Sequence, residues 1–469
     1  MKVLLIKPPS IGFKGAIKKL VPPLGLGYLA STIIKENLAD VKILDATLNG
    51  YNNDIDLRKD LVRFGLSYQE ISKTINDFHP DVVGIHLSLS IYETPALEVA
   101  KITKEIDERI VTVLGGVHST VSSDKLIKNT NVDYIISGEG ELSFIELLKN
   151  LNHKKKRGLV IPGKRIDDLN KLPMPAYHLM DMEKYFEINL PHNHFTKGNR
   201  VAGILTSRGC HELCIFCSAW RVFGRRFRIR TTINIKEEID YLIENYGIDE
   251  VQFLDDNMTL NKKRTFQICD FMKSYNIPWC TPNGVSIKTI STDLLKAMKE
   301  SGCYRITYAI ESGNQKVNTG LLKKKIDLKK AMETILETKK IMEVHCFFMI
   351  GIPGETLEDM QDTFNFIKEA SPDSMSMSIA VPLLGTELFD LCSKNNYLST
   401  DFTTDLSFER VGNINTDDFT GKQLEKLLGE KNQELNKYLA SKNHRAHKKY
   451  DSFALKHKNI DKKTLFDKI

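Results

Sequence analysis

The chain has 469 residues, 41% hydrophobic and 27% charged, with eight cysteines and a formal net charge of +6. That length calls for two to four domains at roughly 100–200 residues each, and a composition near the globular average excludes disordered, collagen-like and disulfide-scaffold classes. The positive balance is local. Residues 421–469 hold 13 Lys/Arg against 6 Asp/Glu, leaving 53 basic and 54 acidic residues in the first 420, so the charge gives no support to a nucleic-acid-binding body.

No run approaches the ~18 apolar residues of a membrane span. The opening MKVLLIKPP has too short an apolar core for an export signal. The cysteines are therefore expected as reduced thiols or metal ligands in a cytoplasmic protein.

In chain order, Val3–Ile6, Val41–Asp45, Val82–Leu89, Val111–Leu114 and Tyr134–Ser137 read as buried strands. Helical stretches such as Leu26–Glu36 and Pro95–Arg109 separate them. Alternation of this kind predicts an α/β fold whose first 150 residues form a doubly wound parallel sheet, with its ligand at the carboxyl ends of the strands. The loops at those ends are rich in small residues: Pro22-Pro23-Leu24-Gly25-Leu26-Gly27, Ser88-Leu89-Ser90, Gly115-Gly116-Val117-His118 and Gly138-Glu139-Gly140-Glu141. Residues 151–200 read as a linker. It starts with the basic run 153–157 and contains Leu172-Pro173-Met174-Pro175, which forbids helix. Within it Pro191-His-Asn-His194 is a possible metal pair, more simply a surface or domain-interface segment.

From Val201 a second series begins: Ala202–Thr206, Glu250–Leu254, Trp279–Val285, Tyr304–Ile310, Val344–Ile350 and Met375–Val381, with amphipathic helices between them. Six βα repeats predict a complete or partial (β/α) barrel over 201–400, with its site at the carboxyl ends of the strands. In the sixth strand, Ser374-Met-Ser-Met-Ser378, period two puts the serines on the lumenal face. Residues 401–469 read as a helical, basic extension.

Chemistry concentrates after the first barrel strand, in Cys210-His-Glu-Leu-Cys214-Ile-Phe-Cys217. Three thiols on one loop can surround a metal centre, and no fourth cysteine is near. A structural zinc site takes four closed ligands, and His211 as the fourth would strain the geometry. A [4Fe–4S] cluster on three cysteines leaves one iron open. A metal-stabilised nucleic-acid binder using the basic tail is the non-enzymatic alternative. Cys269, Cys280, Cys303, Cys346 and Cys392 are scattered and expected to pack. Arg225-Arg226-Phe-Arg228-Ile-Arg230 reads as a solvated face or as a seat for an anionic substrate or cofactor group.

Cys-x3-Cys-x2-Cys, with an aromatic residue before the last cysteine and at the end of a first barrel strand, resembles the radical S-adenosylmethionine (SAM) superfamily. The resemblance implies a [4Fe–4S] cluster on Cys210, Cys214 and Cys217, with SAM on the open iron, cleaved to methionine and a 5′-deoxyadenosyl radical. Later segments match the family in order on successive strand ends: Asp255-Asp-Asn257, Glu311-Ser312-Gly313 and Gly351-Ile-Pro-Gly354. The expected SAM contacts are Phe216, Asp255, Asn257, Glu311, Ser312, Gly351 and Ser376. The resemblance also implies an electron donor of flavodoxin or ferredoxin type.

The N-terminal loops in combination resemble cobalamin-binding radical SAM proteins. They imply a Rossmann-like domain with corrinoid contacts at Leu24, Gly25, Ser88, Gly115, Gly116, His118, Gly138 and Glu139. The Asp-x-His-x-x-Gly string that ligates cobalt in many such domains does not occur, and this branch commonly lacks it. The resemblance implies methylation of an unactivated carbon or phosphorus of a small molecule or peptide, with cyclisation or rearrangement as the alternative within the same cofactor class.

Overall fold

Period-two burial shapes the N-terminal sheet. In β1 (Lys2–Lys7), Val3 and Leu5 enter one core cluster while Leu4 and Ile6 enter another on the opposite face. A strand covered on both sides needs such an unbroken apolar run. The computed structural model describes residues 1–57, 61–151, 157–403 and 408–442. It continues with β2 (Ser10–Phe13), β3 (Asp40–Asp45), β4 (Asp54–Asp56), β5 (Leu61–Phe64), β6 (Val82–His86), β7 (Val111–Gly115), β8 (Tyr134–Ser137) and β9 (Leu159–Pro162). Six of these form a parallel sheet in the order β3-β1-β6-β7-β8-β9, so the chain winds outward in both directions from the β1/β6 pair.

Two features differ from the sequence expectation. The sixth strand, β9, comes from the stretch read as linker, beyond the expected boundary at 150, because Leu159–Pro162 pairs with β8. A small antiparallel sheet, β2-β5-β4, is added at one side. The basic run 153–157 lies mostly outside the described residues.

The rest of the expected linker is packed rather than extended. A helix spans Met182–Ile188, and Tyr177, Met182, Tyr185 and Phe186 are buried in the same core cluster as the barrel. Tyr177 donates to Glu238 Oε1 at 2.5 Å, and Tyr185 donates to Asp45, so this stretch ties the N-terminal domain to the barrel.

The second series follows as β10 (Val201–Ile204), β11 (Ser207–Arg208), β12 (Arg228–Ile229), β13 (Glu250–Phe253), β14 (Trp279–Val285), β15 (Cys303–Glu311), β16 (Glu343–Ile350) and β17 (Ser374–Ile379). The sheet order β10-β13-β14-β15-β16-β17 is sequential and parallel throughout, as the sequence predicts for a (β/α)6 partial barrel. Helices between the strands lie on the outside, with Leu294, Leu295, Ala331, Ile335, Phe364 and Ile367 among their buried residues.

The extension forms the helix Gly421–Lys442, whose Leu424, Leu428, Leu435 and Leu439 pack into the barrel core. The remainder of the basic tail lies outside the described residues. Among the described residues no helix is long and apolar enough to cross a membrane.

Candidate functional site: a three-thiol loop facing a glycine-lined cavity

β11 and β12 pair in two-residue antiparallel register, Ser207 with Ile229 and Arg208 with Arg228, and so pinch the cysteine segment into a closed loop. Gly209 starts the loop at φ +88°, where a Cβ would collide with the Arg226 carbonyl. Ile215 is buried and anchors the middle: its N–H donates to the Leu322 carbonyl at 3.4 Å, and its carbonyl accepts from Leu388 N–H at 3.0 Å. Cys210, Cys214 and Cys217 are half-buried free thiols around this anchor, while Cys269, Cys280, Cys303, Cys346 and Cys392 are fully buried packing residues. Burial raises the pKa of all three loop thiols, that of Cys217 to about 11. His211 is turned outward and exposed.

The strand ends supply the loop's neighbours, and here the structure redistributes several expected roles. Asp255 is buried, accepting from Thr206 N–H at 3.2 Å and Thr206 Oγ1 at 2.7 Å, and also from Ser207 Oγ. It therefore holds the base of the cysteine loop. Its neighbour Asp256 is the carboxylate whose charge reaches Cys210 and Cys217. Asp256 is exposed; the packing around it, with the charge of Asp255 adding to it, shifts its carboxyl above the ordinary value. Asn257 is buried and holds Thr259 and the Ser286 backbone between β13 and β14.

Glu311 ends β15 at φ +70°, a conformation uncommon outside glycine and typical of functional positions. Its Oε1 accepts from Lys324 Nζ at 2.8 Å, and both charges act on Cys214. The Lys324 ammonium also lies 5.9 Å from the Phe216 ring centroid. Ser312 is fully buried; its hydroxyl meets Thr363 Oγ1 at 3.2 Å and accepts from Asn314 N–H, so it caps a turn beneath the rim. Gly351, at φ +88°, packs against Leu424 of the C-terminal helix, where a Cβ would collide. Its N–H donates to Glu355 Oε2 at 2.7 Å, and burial lifts Glu355 to about 7. Ser376 faces the lumen, as its period predicts, together with Ser374, while Met375, Met377 and Ile379 face the core. It lies level with Ala309, below Glu311.

The N-terminal domain offers a cavity of about 270 Å³ at the carboxyl ends of its strands. Gly25, Ser88, Gly115, Gly116, Gly138 and Glu139, among the residues expected at the corrinoid, line it. At Gly25 and Gly115 an added Cβ would meet nothing within 4 Å, so both face open space. At Gly116 (φ +121°) a Cβ would come within 2.5 Å of the Leu87 carbonyl. His86 also lines the cavity and is held at about 4, chiefly by burial and by the Lys7 charge, so it is neutral at pH 7.

Two expected contacts are elsewhere. Leu24 faces a separate crevice with Tyr185 and Gln252. His118 is 1% exposed: Nε2 lies 2.7 Å from Glu93 Oε2, and Nδ1 lies 3.0 Å from Ser90 Oγ. Its ring is consumed inside the domain.

Glu139 and Glu141 serve the domain junction. Arg208 Nη1 donates to Glu139 Oε2 at 3.2 Å and Nη2 donates to Glu141 Oε1 at 2.6 Å, while Arg228 pairs with Glu139 through both terminal nitrogens. The basic run after the cysteines is thus only partly solvated. Arg228 and Arg230 are buried, the latter paired with Glu238. Sequence reasoning missed Arg208, Asp256 and Lys324, which read as an ordinary loop cation, a duplicate acid and part of a lysine run.

The donor sets suit the groups they are expected to hold. Among the described residues no three His, Cys, Asp or Glu side chains gather as a single ion requires. The loop thiols are nevertheless close enough to feel one another's charge. Thiols spaced along one loop, each available to a different iron, fit a cubane better than one tetrahedral zinc. The glycine cradle, whose open Cβ positions leave room beside the strand ends, fits a large cofactor.

Comparison with known proteins agrees. The Radical SAM superfamily model matches residues 204–367, and the B12 binding domain model matches residues 13–148. Cytidylyl-2-hydroxyethylphosphonate methyltransferase of Streptomyces wedmorensis is 31% identical over 93% of this chain and 90% of its own. An uncharacterised methyltransferase of Pyrococcus horikoshii is 34% identical over 91% of each chain. Among solved structures, the radical SAM methyltransferase TsrM of Kitasatospora setae with cobalamin and a [4Fe–4S] cluster bound superposes with a TM-score of 0.64 at 15% identity, over 84% of this chain and 75% of that one. The cobalamin-dependent enzyme OxsB in its apo form gives 0.67 at 14% identity, over 99% and 74%. A [4Fe–4S] cluster, SAM and cobalamin are accordingly the cofactors, and the chain belongs to the radical SAM methyltransferases that carry an N-terminal B12-binding domain.

Proposed function

We propose that Cys210, Cys214 and Cys217 hold the cluster, that Asp256, Phe216 and the Glu311–Lys324 pair surround the SAM site, and that the cavity at Gly25, Ser88, Gly115 and Gly138 receives the corrinoid. The enzyme then methylates an unactivated carbon or phosphorus of a small-molecule or peptide substrate. The observation that carries this reading is the three-thiol loop at the mouth of a parallel barrel, tied through Arg208 to the glycine loop of the neighbouring domain.

When bound, the three cofactors supply reductive cleavage of SAM and a transferable methyl group. The chain's own work is placement and exclusion. The pinch between β11 and β12, the Asp255 anchor and the Ile215 hydrogen bonds fix the thiols on a rigid base. Lys324 neutralises Glu311 beside Cys214, so the rim has donors and an acceptor fixed before any ligand arrives. The buried arginine–glutamate junction seals the seam between domains against water. A flavodoxin- or ferredoxin-type donor supplies the electron, and we place the reaction in the cytoplasm, where thiols stay reduced.

The test is to incubate the anaerobically reconstituted protein with methyl-labelled SAM and pools of metabolites and peptides. A product heavier by one methylene that carries the label supports methyl transfer. Loss of hydrogen or isomerisation without label replaces it with cyclisation or rearrangement.

A further inference from the structure

A second cavity, of about 250 Å³, occupies the barrel lumen below the strand ends that carry the cysteines. Residues of four strands line it: Pro282 and Asn283 on β14, Arg305 and Thr307 on β15, His345 on β16, and Ser374 and Ser376 on β17. Lys19 reaches it from the N-terminal domain. Register puts Thr307, His345 and Ser374 on one level, with Arg305 one inward position deeper. Glu311 lies six positions beyond Arg305 on β15, about 20 Å of extended strand. A group held at Arg305 is therefore well removed from the SAM rim.

Among the described residues that line this cavity, none is Asp or Glu. Arg305 is 6% exposed and, among the described residues, meets neutral partners only, donating to Asn193 Oδ1 at 2.9 Å and to Ser374 Oγ at 3.3 Å. Lys19 is accessible from the cavity, and among the described residues its ammonium makes no hydrogen bond or ion pair; Glu409, outside the lining, is the acid whose charge it feels.

Buried arginines elsewhere in the barrel have carboxylates: Arg208 and Arg228 have Glu139, and Arg230 has Glu238. A buried cation is costly unless paired, so an unmatched one facing a cavity marks where an anion is to arrive. Low-dielectric walls concentrate such a field. His345 bridges the two serines, Nδ1 to Ser374 Oγ at 2.8 Å and Nε2 to Ser376 Oγ at 3.2 Å, which fixes their hydroxyls at the cavity wall.

We propose that this lumenal cavity binds a phosphoryl or phosphonyl group of the substrate, with Arg305 and Lys19 as its counter-charges and the β17 serine that accepts from the His345 N–H as a further donor. The inference rests on the reading of the barrel as the reaction chamber. Donors that come from two strands and from a second domain surround a tetrahedral anion, whereas a planar carboxylate is served by one arginine fork. The distance to the rim further requires a substrate that extends up the lumen from its anionic end.

The test is calorimetric titration of the reconstituted protein with inorganic phosphate, methylphosphonate and acetate, repeated for Lys19→Gln and Arg305→Gln, with iron content and circular dichroism checking that each variant is folded. The proposal expects one saturable site for phosphate and methylphosphonate, weakened roughly tenfold or more by either substitution, as loss of a charge-assisted contact gives. Lys19 is an exposed side chain that borders the cavity from outside the barrel packing, so Lys19→Gln carries the test if Arg305→Gln does not fold. No saturable binding, binding indifferent to both substitutions, or tighter binding of acetate than of phosphate overturns the assignment. Phosphate binding without any SAM cleavage overturns the enzymatic reading and leaves the anion site standing; SAM cleavage without phosphate binding does the reverse.

Discussion

Arg208, two residues ahead of the first cysteine of the three-thiol loop, donates to Glu141 Oε1 at 2.6 Å across the boundary between the barrel and the N-terminal domain. Burial alone would raise the pKa of Glu141, but the Arg208 charge and hydrogen bond outweigh it and hold the carboxyl below its ordinary value. The guanidinium also lies 5.2 Å from the Tyr28 ring centroid and 5.3 Å from that of Phe223. One side chain therefore couples the cysteine loop to the loop that borders the glycine cavity.

Removing it leaves Glu139 and Glu141 buried with fewer partners. Arg208→Ala is expected to lower stability by about 3–5 kcal/mol, the usual consequence of orphaning a buried charge, measured as the shift of the urea midpoint. A loss under about 1 kcal/mol would show that the junction behaves like a surface pair.

Acid should loosen the N-terminal domain at a second place. Burial acts to raise Glu93, but hydrogen bonds from His118 and Lys125 prevail and hold it at about 2. A depressed carboxylate stabilises the fold above its unfolded pKa and loses that contribution as pH falls through its folded value. On the order of 3 kcal/mol is therefore expected to disappear between about pH 4.5 and pH 2, and Glu93→Gln should flatten that part of a stability–pH curve. An unchanged curve for the variant contradicts the assignment.

His118 and Gly115 separate structure from ligand binding. Gly115 faces open space, so Gly115→Leu is expected to fill the cavity and abolish corrinoid retention while leaving thermal stability nearly unchanged. His118→Ala should do the opposite, since its imidazole partners Glu93 and Ser90 inside the fold. Absorbance of the retained corrinoid, read beside the melting temperature, distinguishes the two.

These contrasts mark where sequence reading succeeds and where it stops. Period and apolar runs located the strands of both parallel sheets, apart from β9, because burial on two faces leaves a one-dimensional signature. β9 and the helix Met182–Ile188 lacked one: their apolar residues complete a surface formed by distant elements. The cysteines were legible because one short loop carries them all. The roles of Asp255 and Asp256 were not, since adjacent residues look alike until the chain direction decides which carboxyl turns inward. Lys324, inside Lys323-Lys324-Lys325, reads as solvated charge until β15 brings Glu311 to it.

That pair has its own consequence. Lys324→Met would leave the Glu311 carboxylate buried and unmatched beside Cys214. The variant is expected to keep its iron but to bind SAM at least tenfold more weakly, in line with losing a buried charge partner; equilibrium dialysis with labelled SAM measures it. Unaltered affinity would place SAM away from this rim.

The central claim is that the three cysteines of one loop carry the chemistry. The most direct measurement is formation of 5′-deoxyadenosine by protein reconstituted without oxygen with iron, sulfide and cobalamin, then given SAM and a strong reductant. The wild-type chain is expected to produce it and Cys214→Ala to produce none above background. Absence of 5′-deoxyadenosine from the wild type with every reductant, or equal amounts from Cys214→Ala, would contradict the account.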